Sequence, residues 1–143
     1  MKNLKRMAMM ALFLILAVAS VKAQTGRRIE ASIPFDFAAG KTNLKAGDYT
    51  VRRISRNVLL LRTADNKTSV LLQAAVRIPP PRSEFPTKLV FTESGGRYFL
   101  TEIWADINGD GMQLGATRTE SLIARESGGA ARPQRVEIAL RTK

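Results

Sequence analysis

From residue 29 onward, apolar side chains recur at every second position along most of this chain, and that period constrains it to strands. Ile29, Ala31, Ile33, Phe35 and Phe37 share one side of an extended run, with Arg28, Glu30, Ser32 and Asp36 opposite. Pro34 sits inside the run and has no N–H to give to a ladder, so an edge position or a bulge is expected there. Residues 39–43 and 44–48 read as two turns leading into a strand over 49–54. Residues 57–63 and 68–77 are expected to pair around the polar turn Ala64-Asp65-Asn66-Lys67. Their nearly continuous apolar runs, 58–61, 70–72 and 74–76, predict strands covered on both faces. Residues 87–93 and 97–104 form the clearest hairpin, joined by Ser94-Gly95-Gly96. Strict alternation in its second strand puts Tyr98, Leu100 and Trp104 on one face with Glu102, and Phe99 and Ile103 on the other.

One segment departs from this period. Residues 117–126 predict a short helix, which Thr117 and Glu120 would open as a capping box. Residues 128–133 then read as a flexible stop. Val136, Ile138 and Leu140 alternate with Arg135, Glu137, Ala139 and Arg141 in a last strand. The expected fold is all-β, an antiparallel sandwich or small open barrel of about seven strands, with one short helix before the last.

The first 23 residues belong to a different pattern. Lys2, Lys5 and Arg6 precede an apolar run over 7–19, and Val21 and Ala23 supply the small residues a signal peptidase accepts. A secretory signal peptide over 1–23 is expected, cleaved before Gln24, with an uncleaved anchor as the competing reading. It leaves a single β-rich domain over 24–143, exported to the periplasm or the extracellular space, with no transmembrane span after cleavage. The chain has no cysteine, so neither a lipid tether through Cys nor a disulfide supports it.

Cleavage also removes four basic residues. The full chain carries 23 basic and 12 acidic residues, and the mature domain keeps a net charge of about +7. In an exported protein that balance attracts an anionic polysaccharide or another envelope component, or else it is a soluble basic surface with no specific partner. The absence of His and Cys removes imidazole bases, thiol nucleophiles and ordinary zinc or haem ligation. What chemistry is left to the chain rests on carboxylates, on Ser–Lys arrangements or on oxygen-ligated metals. Catalytic, cofactor and metal residues are therefore assigned to none.

Asp106-Ile107-Asn108-Gly109-Asp110-Gly111 matches the opening of a calcium loop, but Thr117 stands where the twelfth, bidentate acid belongs, so a plain turn is expected. Arg52, Arg53 and Arg56, with Lys45 near in sequence, form the densest basic cluster. Alternation separates Arg52 from Arg53 unless a bulge intervenes. Arg27-Arg28 lies beside the new N-terminus. Specific nucleic-acid binding is not expected, because the chain has few aromatics to interleave with its cations. Tyr98 and Trp104 would share a face as a carbohydrate platform, although burial in the core is the simpler reading. Asp36, Asp48, Asp65, Glu93 and Glu102 supply carboxylates, but no spacing brings two of them into one cleft. The proline-rich stretch 78–86 is expected as an exposed loop.

A set of segments in order carries a resemblance. Ile33-Pro34-Phe35-Asp36-Phe37-Ala38-Ala39-Gly40 is followed by Leu44-Lys45-Ala46-Gly47-Asp48-Tyr49-Thr50-Val51. Lys88-Leu89-Val90-Phe91 then leads to Tyr98-Phe99-Leu100-Thr101-Glu102-Ile103-Trp104, and Thr117-Arg118-Thr119-Glu120 follows. Together they resemble a family of small, uncharacterised, secreted β-rich proteins of acidobacteria and related soil bacteria. The resemblance implies export and a compact β-rich domain, and it transfers no catalytic or binding residue. The expected function is that of a non-catalytic exported binding or surface-associated module with a basic surface. The alternatives are a structural subunit of a cell-envelope assembly, joined by strand addition to a sheet edge, and a small hydrolase using Asp and Glu alone.

Overall fold

The computed structural model describes residues 29–80, 87–105, 109–126 and 133–142. The signal peptide with its cleavage site, Arg27-Arg28, residues 81–86 of the proline-rich stretch, residues 106–108 and residues 128–132 lie outside the described residues.

Among the described residues eleven strands stand where about seven were expected, and local chemistry accounts for each division. Pro34 divides the first run into β1 (Ile29–Ile33) and β2 (Phe37–Ala39), because it cannot donate to a ladder. Gly40, at φ 59°, turns β2 into β3 (Thr42–Leu44), within a stretch that read as a turn alone. β5 (Val58–Thr63) and β6 (Ser69–Ile78) form the expected hairpin, to which β4 (Gly47–Ser55) adds through β5, and β7 (Lys88–Ser94) pairs with β8 (Arg97–Trp104) as the expected hairpin. β9 (Gly111–Leu114) extends the sheet after the Asp/Asn/Gly loop. The last run divides into β10 (Gln134–Ala139) and β11 (Arg141–Thr142), on either side of the buried Leu140. The helix α1 (Arg118–Glu126) begins where the capping box placed it: the Glu120 N–H donates to Thr117 Oγ1 at 3.2 Å, and the Thr117 N–H donates to Glu120 Oε2 at 3.4 Å.

The hydrogen-bonded order runs β10-β7-β8-β9-β6-β5-β4-β1-β11, with β2 parallel to β8 and β3 beside β2. β6 serves two neighbours. Its first half pairs with β5, and from Ala74 onward its second half pairs with β9, with a register shift between Ala74 and Val76. The two ends of the order are successive pieces of one segment, since only Leu140 separates β10 from β11. No ladder joins them, so the sheet is open and curls over its own core.

That core is built from the inward members of each alternation: Ile33, Leu61, Leu89, Phe91, Ile103 and Met112 are almost fully buried. Phe35, Phe37, Tyr49, Phe91 and Tyr98 make a continuous aromatic group. Two expectations about faces change. The register of β7 on β8 shifts between Val90 and Phe91, leaving Thr101 as an extra residue opposite one position of β7. Beyond it the phase reverses, so Ile103 joins Leu100 in the core while Glu102 and Trp104 lie on the outer face with Phe99. The apolar runs of β5 and β6 are also not covered on both sides. Leu59, Leu61 and Leu72 point inward, whereas Leu71 on the outer face is 65% exposed.

A candidate anion-binding cleft

The segment that crosses from β1 to β2 meets the β3–β4 turn, and Asp36 ties them together. Its carboxylate accepts hydrogen bonds from the Ala46 N–H at 2.9 Å and from Lys45 Nζ at 2.8 Å. Those contacts, that of Lys45 foremost, hold the Asp36 carboxyl below its ordinary pKa, and the same bond raises the Lys45 ammonium. Tyr49 anchors the turn from beneath, its hydroxyl donating to the Lys45 carbonyl at 2.6 Å. Burial, more than the charges of Asp36 and Asp65, raises its phenol.

Across from this turn lies the β7–β8 hairpin, and the space between them is a cleft of about 250 Å³. Phe37, Ala38 and Leu44 form its floor, and Asn43, Lys45, Arg97 and Tyr98 its walls. One Arg97 Nη lies 3.4 Å from Asn43 Oδ1, and the guanidinium carbon sits 5.7 Å from the centre of the Phe99 ring. Tyr98 is fixed by stacking on Phe35, with ring centres 3.9 Å apart and planes 18° from parallel. The cleft therefore holds two cations, one amide and one carboxylate that Lys45 already neutralises. Such a set receives an acidic group more readily than it transfers a proton, because no second carboxylate lines the cleft.

The other candidate residues scatter. β4 begins two residues beyond Lys45, which puts Lys45 at the opposite end of the strand from Arg52 and Arg53, about 20 Å away at ~3.3 Å per residue. The basic cluster read from the sequence is therefore not a cluster in space. A register shift does fall between Arg53 and Ser55, but Arg52 pairs with Leu60 on the outer face and Arg53 with Leu59 on the inner. Tyr98 faces the core and Trp104 the outside, so they form no common platform. Asp48 is exposed on β4, and Asp65 accepts from Thr63 Oγ1 within its turn. Asp110 pairs with Arg77, which engages one carboxylate of the expected turn loop. Among the described residues no group of three or more acidic side chains converges as a metal site would require.

A second polar assembly, joining residues 33 positions apart in the chain, lies on the outer face. The Trp104 indole N–H donates to Glu102 Oε2 at 2.9 Å, and Arg135 grips both Glu102 oxygens at 3.1 Å. Arg135 also reaches Glu137, which Lys88 bonds at 2.8 Å and holds below its ordinary pKa. The two glutamates are each held by cations, an arrangement that braces β8 against β10. Arg97 and Asn43 went unnoticed as cleft residues because each is 50 or so residues from the other in sequence, and only the pairing of β2 with β8 brings them together.

No family model, curated protein or solved structure matches this chain.

Proposed function

We propose that this protein is an exported, non-catalytic binding module whose cleft takes a carboxylate or sulfate group of an envelope or extracellular polysaccharide. The observation that carries the reading is the approach of Lys45 and Arg97 to one small cleft whose only carboxylate is already paired. Arg97 offers a planar fork to an oxyanion, Lys45 keeps donors beyond the one given to Asp36, and Asn43 orients the guanidinium. The net positive charge of the mature domain draws an acidic polymer toward it, and the export signal delivers the domain to where such polymers are found. The resemblance to small secreted proteins points to the same compartment.

Titration of the mature domain with a heparin or polyuronate oligosaccharide tests the reading. The double variant Lys45→Gln, Arg97→Gln is expected to bind about tenfold more weakly or worse, the loss of one or two charge-assisted hydrogen bonds. The charge-matched variant Arg52→Gln, Arg56→Gln keeps the wild-type affinity. Equal losses in the two variants would show general charge attraction and overturn the cleft.

A further inference from the structure

Among the described residues, the first half of β6 has a strand neighbour on one side only. β5 pairs with Ser69–Gln73, and β9 begins to pair with β6 at Ala74. Two turn hydrogen bonds fix the phase of the β5–β6 ladder: the Thr63 N–H donates to the Thr68 carbonyl, and the Ala74 N–H to the Asn57 carbonyl, both at 2.9 Å. Even-numbered residues of this half therefore direct their backbone groups toward β5, and Ser69, Leu71 and Gln73 direct theirs away. Among the described residues, no ladder or turn hydrogen bond takes up the N–H and C=O of these three.

Residues 69–73 contain no charge, no proline and no bulge, and the exposed Leu71 stands at their centre. We infer that β6 pairs antiparallel with β6 of a second copy of this chain across a two-fold axis at Val70. In that register Ser69 of each copy exchanges both backbone hydrogen bonds with Leu71 of the other, and the two Val70 side chains meet beside the core. The pairing ends before Ala74, so it leaves the place of Leu114 on β9 undisturbed. A second copy suits this edge because the strip is uncharged and self-complementary, whereas a charged peptide would find no ion pair along it. The inference is independent of the anion-binding reading, since the cleft lies on β2, β3 and β8.

Sedimentation of the mature domain over a range of concentrations, with amide hydrogen exchange at both extremes, tests it. The expected result is a monomer–dimer equilibrium in which the amides of Ser69 and Leu71 are protected only at high concentration, while those of Val70 and Leu72 are protected throughout. Leu71→Pro removes one edge donor without touching the β5 ladder, and Leu71→Lys places a charge one residue from the axis in each copy. Both are expected to sediment as monomers with unchanged circular dichroism. A wild-type protein that remains monomeric at every concentration overturns the inference. So does a dimer that survives Leu71→Lys with Ser69 and Leu71 unprotected, and this outcome needs no folded proline variant.

Discussion

Gly111 has no room for a side chain. A Cβ built there would lie 2.7 Å from the Trp104 ring, well inside contact distance, although the glycine has no positive φ to defend. The indole is only 6% exposed, and its N–H is committed to Glu102, so it cannot swing aside without releasing that bond. Gly111→Ala is therefore expected to cost about 1–3 kcal/mol in urea denaturation, the usual penalty of overpacking. Trp104 is the sole tryptophan, so its emission reports the displacement directly as a red shift. A variant with unchanged stability and emission would mean that the ring moves freely. The sequence offered a glycine after an Asp/Asn/Gly loop, and a turn explained it well enough. Its second role, as the floor beneath Trp104, arises from the pairing of Met112 with Ile103 and was not readable from neighbours in the chain.

Among the elements, α1 and β6 show the limits of reading pattern alone. The capping box at Thr117 was legible because its reciprocal bonds join residues three apart. How the helix packs was not, and none of its residues is buried. An element that adds so little to the core contributes mainly its own local stability. Thr117→Ala is thus expected to weaken α1 by about 1 kcal/mol, seen as faster exchange of its amides. The global unfolding midpoint should scarcely move, and a drop of several kcal/mol would show that the helix braces the sheet. In β6, the run of apolar residues predicted two covered faces, but apolar character records only affinity for a neighbour, not its presence. Leu71 is where the two part company.

At the scale of the whole molecule, the ion pairs among the described residues lie mostly at the surface, and they shift several carboxylates whose ionisation bears on stability. Asp36, Asp65 and Glu137 all titrate below their ordinary values, through Lys45, the Thr63 hydroxyl and Lys88 respectively. Their stabilisation is fully present above the unfolded carboxylate pKa of about 4 and is lost as pH falls through the lower folded values. Tyr49 and Lys45 act at the other end. Burial raises the phenol and Asp36 raises the ammonium, so both contributions are present below about pH 10 and fade as pH climbs through the raised values. Tyr49→Phe is expected to lose about 1 kcal/mol at neutral pH, for the bond to the Lys45 carbonyl, and then to decline less steeply in alkali. Denaturation curves recorded from pH 7 to 11 check this, and parallel declines for the two proteins would remove Tyr49 as the cause.

The sequence by itself determined that the described residues form a β fold with a capped helix over 118–126, where most of the turns fall, and which side of strands such as β1 and β4 enters the core. These properties depend on residues within a few positions of one another, and a period of two states them directly. The tertiary structure alone decided the number of strands, the reversal of phase at Thr101, the meeting of Lys45 with Arg97 and the free edge of β6. Each of these depends on which strand lies beside which, and on where a ladder gains one residue. A single added residue moves every later side chain to the opposite face without leaving a mark on the composition around it. The same reason separates the two arginines of β4 and joins two distant segments into the cleft.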